Sequence, residues 1–314
     1  MNNLQAQISA RANQGFNKLV NTALGLTAQT MPSLSTLSIK EIEECLTEKV
    51  ERICTGIDSI DDLFLEYRNG TTEFGFRQKD IVVLAGMSGI GKTTLSFTIF
   101  ANLYQQNKSP IFFSLDMRKD QTWAMFKNAY MGFVATTEQF MYKMHTEPKP
   151  LIFTHNGDLP VQSIKNTLLA NPNTNVIFID YIDYLIPTKS NAKPMINFKN
   201  LMDELKQIAN DCNCAIVLLS QSTEDKMYNA GRPSLSNLYG GKAVRSAVDH
   251  VLAVYRNSKH NKDLSQEFKY VTEVIGLKLR GNSPNTKAYI NFSNGKMQDM
   301  TDEQVFCYIN SQNK

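Results

Sequence analysis

Residues 80–93 read Asp80-Ile-Val-Val-Leu-Ala-Gly86-Met-Ser-Gly-Ile-Gly91-Lys92-Thr93, and this run decides the fold. An apolar strand at 80–85 ends in a glycine-rich turn, and a helix opens at Lys92. The turn matches G-x-x-x-x-G-K-[ST] in full. Backbone N–H groups in such a turn fold around phosphate, and the helix amino terminus adds positive potential. Lys92 is expected to reach the β- and γ-phosphates, and the Thr93 hydroxyl to ligate Mg²⁺. Gly86, Ser88, Gly89, Gly91 and Thr94 complete the expected nucleotide-binding set, so ATP and Mg²⁺ are the expected cofactors.

The strand-then-helix rhythm continues downstream. Apolar runs predict strands at 80–85, 110–115, 150–154, 175–180 and 214–220, with later ones at 249–256, 270–278 and 287–292. Helical spacing predicts helices near 92–106, 120–131, 136–144, 160–170 and 196–211. Short apolar strands separated by helices imply an α/β fold with a mainly parallel, twisted sheet buried on both faces. The last three strands have short connections, which suits an antiparallel extension at the carboxyl end.

Charged residues at strand ends are the candidates for chemistry. Asp180 ends the apolar strand Val176–Ile179 and projects from the carboxyl edge of the sheet, where ligands bind in such folds. It is the expected carboxylate on the Mg²⁺ side. Asp116 follows strand 110–115, which is expected to lie beside the strand of the phosphate loop, and is the candidate for orienting or deprotonating water. Gln221 ends strand 214–220, placed to sense γ-phosphate. The long polar loop 221–247 carries Lys226, Arg232, Lys242 and Arg245 with Tyr228 and Tyr239 between them. That mixture suits phosphate contacts plus stacking on single-stranded nucleic acid, and a solvated basic loop is the plainer alternative. Lys278 and Arg280 close strand 270–278 on one side of the chain; they either clamp a γ-phosphate or form an exposed basic edge.

The first 50 residues have a different texture, and two domains are expected, 1–50 and 51–314. A helix is expected around 3–24, a break at 31–36, and a second helix opened by Ser38 with Glu41 three residues on. Its apolar stripe is Ile39, Ile42, Cys45, Leu46 and Val50, to be buried on its own domain or on a neighbouring subunit. The 314 residues are 42% hydrophobic and 20% charged, as in a folded globular protein. A net charge of +3 does not by itself announce a polyanion partner. No apolar run is long enough to span a membrane and no signal peptide is evident, so a cytoplasmic protein is expected. The five cysteines lack metal-type spacing, and Cys212 and Cys214 read as small core residues.

Taken together, GMSGIGKT, FFSLDM, VIFIDYIDYL, LLSQS, GRPSLSNLYGG and KLRGNSP occur in an order that resembles the motor domain of DnaB-type replicative ring helicases, a RecA-like hexameric family. The lead-in Thr55–Leu63 is also similar, and the resemblance covers roughly 50–295. It implies a RecA-like core and a homo-oligomeric, hexameric ring that translocates on single-stranded DNA. Asp116, Lys92, Gln221, Lys278 and Arg280 would be the catalytic set, with Lys278 and Arg280 reaching the nucleotide of the adjacent subunit. Arg232, Tyr239, Gly240, Gly241, Lys242 and Arg245 would face DNA, and the helix at 38–49 would dock on a neighbour. A primase or helicase loader is the further partner implied.

Three departures from the family pattern stand out. Asp116 stands where the family usually has Glu, one methylene longer, which implies slower hydrolysis or altered water geometry. Tyr239-Gly240 replaces the Arg-Glu that often opens the DNA loop, with Lys242 and Arg245 nearby to compensate. Only about 50 residues stand in place of the family's amino-terminal domain, an economy that suits a phage- or plasmid-encoded protein in a bacterial cytoplasm. Two other readings share the core: a RecA-like recombination or repair ATPase, and an ATP-switched assembly or loading factor with weak hydrolysis.

Overall fold

All six residues of Ile81–Gly86 (β1) are buried, and their side chains alternate between two apolar layers. Val82 and Leu84 face one layer, Ile81, Val83 and Ala85 the other. A strand apolar at every position needs cover on both sides, which helices provide. In the computed structural model of the protein, the described residues are 38–40, 51–68, 70–187, 194–221, 228–229, 232–237, 245–259 and 264–312, with backbone alone at 194–197, 228–229 and 237. The chain separates into two compact units, Met1–Lys49 and Val50–Lys314. Of the first, Ile39 and Lys40 are helical; the expected helix at 3–24, the break at 31–36 and residues 41–49 lie outside the described residues.

After β1 come Lys92–Gln105 (α1), Ile111–Ser114 (β2), Lys119–Tyr130 (α2), Thr137–Thr146 (α3), Leu151–Thr154 (β3), Val161–Ala170 (α4) and Val176–Asp180 (β4). Pro194–Asp211 (α5), Ala215–Gln221 (β5), His250–Tyr255 (β6), Val271–Lys278 (β7), Thr286–Ser293 (β8), Lys296–Asp299 (β9) and Asp302–Gln312 (α6) complete the series. Nine strands form one sheet in the order β9-β8-β7-β6-β1-β5-β4-β2-β3. The six from β6 to β3 are parallel, and β7, β8 and β9 extend the sheet antiparallel.

Aromatic packing holds one layer. Phe97 of α1 stacks on Phe112 of β2 with centroids 4.1 Å apart, and Phe112 stacks in turn on Phe178 of β4. Phe100 meets Phe112, Phe126 and Phe178 edge-on. Truncating one ring at such a site costs about 3–5 kcal/mol. In the opposite layer Leu201, Met202 and Leu205 of α5 pack with Ile164 and Leu168 of α4, and Cys214 is a buried core residue there.

Two sequence expectations are corrected. His250–Tyr255 is parallel to β1, not part of the antiparallel extension, because the long connection after Gln221 carries the chain back to the other side of β1. Strand β2 does not lie beside β1, since β5 and β4 separate them; apolar strands do not encode their spatial order. Helix α6 and strand β9 escaped the sequence reading. A signal for α6 was present, because Thr301 and Gln304 bond reciprocally as a capping box.

The lead-in to the domain is fastened by buried polar groups. Asp61 accepts from the amides of Thr55 (2.7 Å) and Gly56 (3.2 Å), and Asn102 of α1 donates to the carbonyls of the same two residues. Burial pushes the Asp61 carboxyl up from 3.8 to about 6, against the lowering effect of the hydrogen bonds from Thr55 and Gly56. A pKa raised in the folded state contributes stability that is complete below pH 3.8 and lost as pH rises through about 6. The contribution is at most about 3 kcal/mol. The melting temperature of the wild type, relative to Asp61→Asn, is therefore expected to fall by about 5 °C between pH 4 and pH 7, measured by differential scanning calorimetry. A constant gap would show that Asp61 does not titrate on folding.

Candidate functional site

Strand β1 delivers the chain to the carboxyl edge of the sheet at Gly86, and α1 leaves it from Lys92. Space, not conformation, demands glycine at 86: a Cβ would lie 3.0 Å from both Ile90 Cγ2 and the Val254 carbonyl oxygen. At Gly91 conformation demands it, with φ at +109°. Ser88 and Gly89 are exposed at the rim, whereas Thr93 and Thr94 are half-buried in the first turn of α1.

Lys92 is buried and folds back into the loop, donating from Nζ to the carbonyls of Gly86 and Met87, both at 2.8 Å. Burial lowers its pKa to about 8, with the negative charge of Asp180 opposing the shift. Thr93 Oγ1 donates to Asp180 Oδ2 at 2.9 Å. Asp180 is 1% exposed, and its other oxygen, Oδ1, has no hydrogen-bond partner. Burial pushes its carboxyl up to about 6 despite the Thr93 hydrogen bond and the Lys92 charge, and Asp116 adds to the rise. An orphaned carboxylate oxygen beside a threonine hydroxyl is a donor set that suits a hard divalent cation sharing its other positions with phosphate and water. Gln221 ends β5 directly opposite Gly86 in the register, so it stands level with the mouth of the loop.

Asp116 lies at the same edge, because Ser114 pairs with Asp180 across β2 and β4. Both of its carboxylate oxygens are engaged: Tyr181 donates to Oδ2 at 2.7 Å and Tyr184 to Oδ1 at 2.8 Å. The two phenols stack on each other with centroids 5.8 Å apart. Burial, then the Asp116 hydrogen bond, raises the Tyr181 pKa above its ordinary range. Sequence reasoning missed both tyrosines, although their spacing after a strand ending in Asp180 was visible.

Arg256 was also missed. It follows β6, is partly buried, bonds Thr272 Oγ1 through Nε and Nη2 at 3.3 and 3.2 Å, and brings Nη2 within 3.2 Å of a Cβ position on Gly91. A cation thus stands beside the phosphate loop within the same chain. Nothing local in Tyr255-Arg256-Asn257 announces this; the parallel pairing of β6 with β1 does.

Lys278 and Arg280 stand elsewhere. Strand β7 runs against β6, so its carboxyl end lies at the amino edge of the parallel strands, with Lys278 opposite Val251. Lys278 Nζ donates to the carbonyls of Arg245 (2.8 Å) and Val248 (2.6 Å). The Arg280 guanidinium pairs with buried Asp249, which also accepts from the Ile81 amide and from Lys206. Burial pushes the Asp249 carboxyl up, but hydrogen bonds from Lys206 and Ile81, with the charges of Lys206 and Arg280, outweigh it and hold it below the usual range. From Ile81 to Gly86 the strand runs roughly 17 Å, beyond the reach of these side chains to their own phosphate loop.

Of the loop residues expected to face nucleic acid, Lys226, Tyr239, Gly240, Gly241 and Lys242 lie outside the described residues. Arg245 is half-buried, and its Nε has no hydrogen-bond partner. Arg232 is committed inside the chain: its Nη1 donates to fully buried Glu273 at 2.7 Å, its Nη2 bonds Gln312, and it lies over the Tyr255 ring at 5.0 Å. Glu273 also accepts from Tyr308 of α6 at 3.1 Å. Lys287 also approaches Glu273, at 3.5 Å, so Arg232 is one of two cations that offset this buried carboxylate between β7 and α6.

Against known proteins, the profile of the DnaB-like helicase C terminal domain matches residues 69–299. A "Probable replicative DNA helicase" of Trieres chinensis is 27% identical over 228 residues, covering 66% of this chain and 50% of that protein. The "Replicative DNA helicase DnaB" of Treponema pallidum is 23% identical over 221 residues, covering 65% and 48%. The chain thus spans about half the length of these curated relatives. Among solved structures, one described as an "ATPase Domain" superposes with a TM-score of 0.66 at 19% identity, covering 84% of this chain and 96% of that one. "The Structure Of A DnaB-Like Replicative Helicase And Its Interactions With Primase" gives 0.68 at 19% identity, covering 94% and 77%. The α/β core is that of RecA-like helicase domains.

Proposed function

The chain belongs to the DnaB-like helicase C-terminal domain family, and from that membership we propose that it is the motor of an ATP-driven replicative DNA helicase. It would act as a homo-oligomeric, six-membered ring on single-stranded DNA in a cytoplasm, with a primase or loader as further partner. No helix among the described residues is long and apolar enough to cross a membrane. The observation that carries the proposal is the separation of one charge set from another. Lys92, Thr93, Asp180 and Gln221 cluster at the carboxyl edge of the sheet, while Lys278 and Arg280 sit at the amino edge. A nucleotide site completed by both sets needs two copies of the chain.

The chemistry assigned to each residue follows from its place. The backbone of Gly86–Gly91 and the start of α1 cradle the phosphates, and Lys92 exchanges two carbonyls for phosphate oxygens. Thr93 and Asp180 would hold Mg²⁺, which neutralises charge on the β- and γ-phosphates. Asp116 orients the attacking water, and for that it gives up at least one tyrosine hydrogen bond. Arg280 of the neighbouring copy stabilises charge on the transferred phosphoryl group. Gln221, level with the loop mouth, relays loss of the γ-phosphate to the segment that follows it.

Mass and particle shape, measured with a non-hydrolysable ATP analogue with and without single-stranded DNA, test the proposal. A closed six-membered ring that retains DNA is the expected result. A monomer that hydrolyses ATP at full rate, or an open filament, overturns it.

A further inference from the structure

His250 opens β6 at the amino edge of the sheet and is buried, yet its imidazole is fully engaged. Nδ1 lies 3.3 Å from the backbone nitrogen of Arg280, and Nε2 lies 3.1 Å from Asp80 Oδ2. An amide N–H can only donate, so Nδ1 is the acceptor, and the network assigns the ring proton to Nε2, donating to Asp80. The same Asp80 oxygen accepts from the Arg77 amide at 2.8 Å. Phe64 closes the far side of the imidazole edge-on, with centroids 4.9 Å apart. A cavity of about 110 Å³ remains between Phe64, Arg77, Asp80, His250 and Arg280.

Arg280 is thus held at two points by consecutive residues. His250 fixes its backbone, Asp249 meets its guanidinium, and the side chain is still 70% exposed. We infer that His250, oriented by Asp80, is a positioning residue that sets the turn Arg280–Asn282 so that the Arg280 guanidinium is presented toward the nucleotide of a neighbouring copy. Asp80 immediately precedes β1, and its carbonyl accepts from the Ile216 amide of β5, so the turn is indexed to the two strands that end at Gly86 and Gln221. Asn282 secures the other end of the turn, donating to the Leu63 carbonyl at 2.9 Å. The inference rests on the reading of Arg280 as a cation supplied in trans.

Two substitutions separate the ring nitrogens. His250→Gln places an amide where Nε2 was and keeps the link to Asp80, but leaves the Arg280 amide without its acceptor. His250→Asn places an oxygen where Nδ1 was and keeps that acceptor. In DNA-stimulated ATP turnover, His250→Gln is expected to lower kcat by about 10- to 100-fold with KM for ATP little changed, because small misplacement of a reacting group is costly. His250→Asn is expected to restore the rate to within about threefold of wild type. In an Arg280→Ala background, His250→Gln is expected to change nothing further. If Arg280→Ala is slow and His250→Gln turns over at the wild-type rate, the inference fails and the proposed function stands. If both His250 variants lose rate and melting temperature in equal measure, His250 is only a packing residue and the inference fails. If Arg280→Ala itself turns over normally, the trans reading fails and the inference goes with it.

Discussion

Lys92→Ala is expected to abolish ATP turnover, lowering kcat/KM by at least about 10³-fold, since on the proposed function it removes the buried cation that would meet developing phosphate charge. The magnitude follows from the site. Lys92 is 5% exposed and its two present partners are backbone carbonyls, whereas Arg256, the other cation beside the loop, lies against Gly91 and bonds Thr272. The substitution also strands the Gly86 and Met87 carbonyls, and a loss of about 1–3 kcal/mol of stability is expected with it. Circular dichroism and a melting curve recorded beside the turnover assay separate the two effects. A folded Lys92→Ala protein that hydrolyses ATP at the wild-type rate would remove the phosphate loop from the mechanism.

The second large effect belongs to Arg280. A cation supplied across a subunit interface contributes about 10³–10⁵ in rate, so Arg280→Ala is expected to lose that much of kcat while nucleotide still binds. Folding should survive the change: Asp249 keeps Lys206 and the Ile81 amide as partners. Mixing supplies the decisive measurement. In the proposed ring, neither Lys92→Ala nor Arg280→Ala assemblies would contain a complete site. A one-to-one mixed ring places an intact Lys92 opposite an intact Arg280 at roughly a quarter of its interfaces, if subunits assort at random. Turnover recovered on mixing is the expected result. Its absence in rings shown to be mixed would overturn the assignment of Arg280 to the nucleotide of the neighbouring copy.

Asp116 illustrates how far a sequence can be read. Its position after an apolar strand, at the carboxyl edge of the sheet, is legible in the sequence; the strands that flank it are not. Strand β2 is separated from β1 by β5 and β4, and Asp116 approaches the site through β4. Strand order depends on which crossover packs against which face, a property of the whole sheet. The pairing of Asp116 with its two phenols is non-local for a related reason. Tyr181 and Tyr184 come from the connection after β4, 65 and 68 residues further along the chain.

Arg232 and Arg256 make the complementary case. Both are arginines in polar segments, and composition alone treats them as equivalent basic residues. Tertiary contacts assign them opposite roles: Arg232 compensates buried Glu273, while Arg256 stands beside Gly91. The charge on a residue is written in the sequence, but the carboxylate that will neutralise it is not.

Local chemistry along the chain suffices for the phosphate loop, the helix that follows it, the α/β class and the place of Asp180 at the end of an apolar strand. These depend on chain neighbours, on apolar runs, and on a motif whose residues act within a single turn. The folded sheet was needed to reveal that β6 rejoins the parallel set, that Asp116 is held by two phenols, and that Lys278 and Arg280 lie at the edge opposite their own phosphate loop. Each of these depends on pairing between segments far apart in the chain. Such pairing is selected by the packing of the complete sheet between its helices, not by any local preference of the residues that meet.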